Sequence, residues 1–192
     1  MTVLEIVSDV AGRLEELKIR YVIGGSLASS VWGEWRNTND ADIAIQISQA
    51  DVPNLMKTFG EPYYVHEPDL TEAIASTQAF RSAQLLHMEE VFKIDLFLLP
   101  ESEYSTTVLA RAVEVEVLEG IRLRYSSAED MIVTKLRWFQ LGGQVSDRQW
   151  NDIVKMLDIQ LPKLDRLYLV KWCEAFGVIE LLKEAVSQAR SV

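Results

Sequence analysis

The sequence predicts an α/β protein: a mixed β-sheet with flanking helices over residues 1–125, followed by a helical region over 126–192 packed on it. Three observations carry this expectation. Segments that alternate apolar and polar residues, the mark of strands, occur at Asp40–Ile47 and Val91–Leu98, and strand-like segments stop at Tyr125. Beyond Tyr125, two boxes of the Ser-x-x-Glu/Gln type open stretches with helical spacing. The chain has 192 residues, 48% hydrophobic and 25% charged, which is the composition of a globular protein. At this length roughly 70% of the unfolded surface can be buried without disulfides or structural metals.

Taken in order, Thr2 caps a first helix in which Leu4, Val7, Val10 or Ala11, Leu14 and Leu17 recur on one face. Tyr21–Ile23, β-branched and aromatic, reads as a short strand broken by Gly24-Gly25-Ser26. Leu27–Trp32 reads as a short helix ending at Gly33, and Glu34–Asn39 as a polar loop. In Asp40–Ile47, Ala41, Ile43, Ile45 and Ile47 fall on one face and Asp40, Asp42, Ala44 and Gln46 on the other. Ser48 caps a helix that ends near Phe59-Gly60, and Phe80–His87 and Val91–Leu98 are two more strands around Met88–Glu90. Arg111–Leu118 and Ile121–Tyr125 flank Glu119-Gly120 as a hairpin. Ser126-Ser127-Ala128-Glu129 then opens a helix to about Gln140, and Ser146-Asp147-Arg148-Gln149 one to about Leu157, with Gly142-Gly143 between them. Helices at Asp165–Phe176 and Val178–Ala189, separated by Gly177, complete the chain.

The charge balance is 19 basic against 29 acidic residues, a net −10. That disfavours tight nonspecific nucleic-acid binding, which needs several Lys/Arg–phosphate contacts, and leaves open a substrate whose charge a divalent metal carries. Glu5 and Asp9 argue against a signal peptide. The longest uncharged stretch, Tyr21–Gly33, is far shorter than the roughly 20 residues that span a bilayer. Cys173 is the only cysteine, so no internal disulfide forms. The expectation is a cytoplasmic protein with no membrane partner.

Three features carry chemistry. Ile23-Gly24-Gly25-Ser26 runs from a strand into a glycine turn at a helix start, where backbone can approach a phosphate and N–H groups attract anions. Asp40 and Asp42 share one strand face, and two such carboxylates repel unless a cation compensates them. Asp95 stands in the apolar strand Lys93-Ile94-Asp95-Leu96-Phe97, costly unless paired with a metal or with a basic partner such as Lys93. Taken singly, each has a plain structural reading as a turn, a solvated face or an ion pair. Together they point to a two-metal phosphoryl-transfer site, where oxygen ligands hold Mg²⁺ against a triphosphate.

Ile23-Gly24-Gly25-Ser26, Arg36-Asn37-Thr38-Asn39-Asp40-Ala41-Asp42-Ile43 and Lys93-Ile94-Asp95-Leu96-Phe97 resemble the signature of the nucleotidyltransferase-fold superfamily, which includes DNA polymerase beta and aminoglycoside nucleotidyltransferases. Glu129-Asp130, Lys135-Leu136, Asp147 and Asp152-Ile153 resemble the helical motifs of its prokaryotic abortive-infection (AbiEii-like) toxin group. The resemblance covers about residues 20–157 and implies the nucleotidyltransferase fold. It implies transfer of a nucleoside monophosphate from an NTP to a hydroxyl acceptor, which could be a small molecule, a protein or an RNA. Asp40, Asp42 and Asp95 would be the catalytic metal ligands for Mg²⁺, two ions in all, with Asp95 also the base. Gly24, Gly25, Ser26, Arg36, Thr38 and Lys135 would bind nucleotide; for Arg36, contact with phosphate and pinning of an acid stay equally open. Asp152 has a counterpart of unassigned role, and Ala41 departs from the larger aliphatic residue common there. The alternative is a catalytically degenerate nucleotidyltransferase-like binding module or a toxin–antitoxin component with an antitoxin partner.

Other constellations are weaker. Gly24-Gly25-Ser26-Leu27-Ala28 resembles a degenerate nucleophile elbow with His66 or His87 as base, but only one strand precedes it and the acids go unexplained. His66, His87 and Cys173 form no zinc pattern, and no P-loop is present. Trp138, Trp150 and Trp172 are expected to pack the C-terminal helices, and Arg122, Arg124 and Arg137 are the candidate basic patch.

Overall fold

The structure, a computed structural model, describes residues 1–34 and 38–189. Contacts divide the chain into two compact units, Met1–Leu27 with Asn37–Tyr125, and Ala28–Arg36 with Ser126–Val192. Among the described residues no helix is long and apolar enough to cross a membrane.

The first unit is built on seven strands: β1 (Tyr21–Ile23), β2 (Asp40–Ile45), β3 (Tyr63–Val65), β4 (Ser82–His87), β5 (Phe92–Leu98), β6 (Val113–Leu118) and β7 (Ile121–Tyr125). Their order across the sheet is β3-β4-β5-β2-β1-β7-β6. The β2/β5 and β1/β7 pairs are parallel and the rest antiparallel, so the sheet is mixed, as expected. The alternation read in the sequence is the alternation of burial. Ala41, Ile43 and Ile45 of β2 and Ile94, Leu96 and Leu98 of β5 are buried on one face, with the intervening residues half-exposed on the other.

Helix α1 (Val3–Glu16) lies against β7 and buries Ile6, Val7, Val10, Ala11 and Leu14. Its N-terminus is a reciprocal capping box: the Glu5 amide donates to Thr2 Oγ1 (3.3 Å) and the Thr2 amide to Glu5 Oε2 (2.7 Å). Ser48 opens a 3-10 turn, Gln49–Asp51, that leads into α3 (Val52–Thr58), so the true α-helix starts later than the Ser48 signal suggests. Three elements lie where the sequence pattern marked none: β3, α4 (Glu67–Ala75) and α5 (Glu103–Ala110). They are short. Strand β3 has three residues, and α4 and α5 bury only Leu70 and Ala73, and Tyr104, Ser105, Val108 and Leu109, too few for a sustained period.

Helix α2 (Gly25–Trp32) starts in the first unit, two residues earlier than expected, and its later residues belong to the second. The second unit is otherwise α6 (Ala128–Leu141), α7 (Asp147–Gln160), α8 (Arg166–Ala175) and α9 (Ile179–Ala189). Helix α7 packs on α6 and α9, and α8 on α6 and α9. The Trp32 indole donates to the Ser126 carbonyl (2.7 Å), and Gln160 Nε2 to the Trp32 carbonyl (2.8 Å), which ties the end of α2 into this unit. The first of the two expected caps is displaced by one residue. Ser127, not Ser126, accepts from the amide three residues on, that of Asp130 (3.1 Å). Glu129, released from the box, instead accepts from the Asp165 amide (2.9 Å). The second cap is as expected, with Ser146 accepting from the Gln149 amide (3.3 Å). Trp172 is buried and Trp150 packs on Phe139 with ring centroids 5.0 Å apart, whereas Trp138 is among the exposed apolar residues.

Candidate active site

Register brings the acids together. In the parallel β2/β5 pair, Asp42 stands opposite Asp95 and Asp40 opposite Lys93. Residues opposite one another across a ladder share a face. Asp40, Asp42, Lys93 and Asp95 therefore stand side by side on the face that does not bury Ile43, Ile45, Ile94 and Leu96. On the other flank of β5, exposed Gln84 of β4 is opposite Asp95, a neighbour that only the pairing reveals.

The glycine turn abuts these acids. The Gly24 amide donates to the Asp42 carbonyl (2.8 Å), extending the β1/β2 ladder by one bond. The Gly24 N–H is thus already used, and a Cβ there would meet only the Asp42 carbonyl oxygen, at 3.9 Å. Gly25 has φ +54°, a left-handed conformation that glycine adopts without strain. It also leaves room for its neighbour: a Cβ at Gly25 would stand 1.5 Å from Asp42 Oδ2 and 2.5 Å from its Cγ. The Asp42 carboxylate thus lies where any other residue's side chain would be. Gly25, Ser26 and Asp42 are all engaged within the chain.

The other two acids are held by their own neighbours. Thr38 Oγ1 donates to Asp40 Oδ1 (2.8 Å), which makes Thr38 a support for that carboxylate. Lys93 Nζ donates to Asp95 Oδ2 (2.7 Å) and lies 3.9 Å from Asp40 Oδ2, bridging the two strands' acids. The hydrogen bond to Asp95 holds the Lys93 ammonium above the ordinary lysine range, helped by the charges of Asp95, Asp40 and Asp42 and opposed by partial burial. Lys93 is therefore a cation at neutral pH, set among three carboxylates.

Lys135 is in the second unit, where its Nζ donates to Asp152 Oδ2 (3.0 Å) across α6 and α7. Arg36 falls outside the described residues. Of the histidines of the elbow reading, His66 Nδ1 is 2.8 Å from Asp69 Oδ1, and buried His87 accepts from the Glu90 amide through Nδ1 (3.3 Å) while its Nε2 is buried without a hydrogen-bond partner. His87 pairs with Phe92, on the opposite face of the sheet from the acids.

Among the described residues, no three His, Cys, Asp or Glu side chains are grouped so as to hold a metal ion as they stand. In kind, however, the donors fit a hard divalent cation: three carboxylates on one sheet face, two of them already accepting a cation in the form of the Lys93 ammonium.

No protein-family model matches the sequence, and no curated protein matches it. Solved structures do. The antibiotic-resistance factor ANT(2'')-Ia in solution is 13% identical, with 94% of each chain covered and a TM-score of 0.58. Its crystal structure in complex with adenylyl-2''-tobramycin is likewise 13% identical, covering 92% of this chain and 98% of that one at a TM-score of 0.57. An antigenic nucleotidyltransferase-like protein from Paracoccidioides brasiliensis is 18% identical, covering 97% and 91% at a TM-score of 0.55. The chain has the nucleotidyltransferase fold, a mixed sheet with flanking helices and a helical C-terminal region.

Proposed function

We propose that the chain is a metal-dependent nucleotidyltransferase that moves a nucleoside monophosphate from an NTP to a hydroxyl acceptor. The observation that carries this reading is the β2/β5 register, which sets Asp42 beside Asp95 and both beside Asp40, with the Gly25 turn against Asp42. A fold shared with ANT(2'')-Ia, whose crystal structure is in complex with adenylyl-2''-tobramycin, supports the reaction class.

Asp40, Asp42 and Asp95 would hold Mg²⁺, two ions in the full reading, which would neutralise the triphosphate and stabilise the attacking and leaving oxygens. The chain's own groups do the rest. The Gly24-Gly25-Ser26 turn and the start of α2 offer close backbone approach and the positive end of a helix to the triphosphate. Asp95 accepts the acceptor's hydroxyl proton as that oxygen bonds to the α-phosphorus; the bond from the α-phosphorus to the bridging oxygen breaks and pyrophosphate leaves. Most of the rate comes from alignment and charge compensation. By the resemblance alone, Lys135 and Arg36 would also bind nucleotide.

The finer placement in the AbiEii-like group rests on the resemblance of Glu129-Asp130, Lys135-Leu136, Asp147 and Asp152-Ile153 to that group's helical motifs, and an antitoxin partner belongs to the alternative reading; of these residues, Lys135 and Asp152 form one ion pair. A second reading is favoured by a specific observation: Asp95 is taken by Lys93 and Asp40 by Thr38, as a degenerate nucleotide-binding module would permit. One experiment separates the two. The protein is incubated with Mg²⁺, each labelled NTP and cell extract, and the products are analysed by mass spectrometry. Nucleotidyl transfer adds one NMP mass to an acceptor, and its class is read directly. Nucleotide binding with no adduct on any acceptor supports the binding module.

A further inference from the structure

We propose that Lys93 is a built-in counter-cation of the acid cluster, and that its ammonium and a divalent ion compete for the position between Asp40 and Asp95. The inference rests on the metal-dependent reading above. It adds a residue whose part is to hold the site in the absence of the ion and to yield to it.

Three observations carry it. The first is placement: Lys93 is opposite Asp40 and two residues from Asp95, so both neighbouring acids lie within reach of its Nζ. The distances are 2.7 Å to Asp95 Oδ2 and 3.9 Å to Asp40 Oδ2. The second is need. The Asp95 side chain is only 16% exposed, and a carboxylate that far from water beside two others is costly without a cation. Lys93 supplies that cation from within the chain. The third is mobility. Lys93 remains 37% exposed and carries its charge on a flexible four-carbon stem, so it can leave for solvent without unpacking the core face of β5.

A cation that only braces the carboxylates would leave them better arranged for a metal, and its loss would weaken metal binding. A competing cation has the opposite sign. Removing it exposes the full negative charge of the cluster, and it also removes a repulsion between a monovalent and a divalent charge a few ångströms apart.

The test is Mn²⁺ and Mg²⁺ titration by calorimetry, without nucleotide, on wild type, Lys93→Met and Lys93→Gln, beside thermal melts with and without the ions. The expected result is roughly tenfold tighter Mn²⁺ binding in both variants. The metal-free variants should melt lower than wild type, and saturating Mn²⁺ should raise their melting temperature by more than it raises that of wild type. Unchanged or weaker Mn²⁺ affinity in a folded variant would overturn the competition while leaving the metal site intact. A variant that does not fold alone but folds with Mn²⁺ supports the proposal, and one that folds under neither condition overturns it, since Lys93 is then required whether or not an ion is present. Absence of Mn²⁺ binding in wild type and variants alike would overturn the metal-dependent reading itself, and the competition with it.

Discussion

At Gly25 two demands meet in one residue. Its φ of +54° suits glycine, and the space where a Cβ would sit is filled by the Asp42 carboxylate. Gly25→Ala should therefore cost about 1–3 kcal/mol of backbone strain and also push Asp42 out of place. Displacement of a ligand by about an ångström costs on the order of 10²-fold in turnover. Kinetics beside a denaturant melt would show a catalytic loss far exceeding the stability loss; losses in proportion would mean that the glycine serves the turn alone. Thr38 works more gently. Thr38→Val keeps the shape but removes the hydrogen bond to Asp40, so stability should change by about 1 kcal/mol while metal affinity falls severalfold, read by calorimetry. At this scale the sequence was legible in part. Alternation placed Asp40 and Asp42 on one face, and a lone acid in an apolar strand singled out Asp95. That Lys93 bridges Asp40 as well as Asp95, and that Gly25 makes room for Asp42, depends on which strands are neighbours and in what register, and no local pattern encodes that.

Helix caps show the same boundary between local and tertiary information one level up. The sequence marks Ser126-x-x-Glu129 as the box. The structure places the cap one residue on, at Ser127. Ser127 accepts from the Asp130 amide and its hydroxyl donates to Asp130 Oδ2 (2.8 Å), while Tyr168 donates to the other carboxylate oxygen. Asp130 is 1% exposed, so its partners matter. Ser127→Ala should destabilise by about 2 kcal/mol, combining a lost cap with a buried carboxylate left short of a donor. Ser126→Ala, which keeps the backbone carbonyl that Trp32 uses, should cost under about 1 kcal/mol. Chemical denaturation of both variants checks this, and the reverse order would place the cap at Ser126. Long, strongly periodic elements such as α1, β2 and β5 could be read in advance because burial repeats over several residues. The three-residue β3 and the short α4 and α5 could not, because their few buried residues are fixed by tertiary neighbours.

Across the whole molecule, burial leaves a titration signature at high pH. Tyr21 and Tyr63 are raised well above the ordinary phenol range, chiefly by burial; Tyr125 is pushed up to about 12, and the Cys173 thiol likewise to about 12. Each group keeps its proton in the folded chain beyond the pH at which the unfolded chain loses it. A raised folded value means that stability is fully present below the unfolded pKa and is lost as pH rises through the folded one. The denaturation midpoint should accordingly fall from about pH 9 upward toward pH 12, and Cys173 should resist alkylation near neutrality until the chain unfolds. A midpoint flat over that range would contradict the burial of these side chains. At this scale the proposal is that the acids that β2 and β5 set side by side perform transfer. The measurement is pyrophosphate release with an acceptor pool, beside NTP binding by calorimetry, for wild type and Asp95→Asn. Transfer predicts a loss of on the order of 10²-fold or more in turnover with NTP affinity far less affected, because Asp40 and Asp42 remain. Equal pyrophosphate release by the variant, or none by the wild type with any acceptor pool, would contradict it.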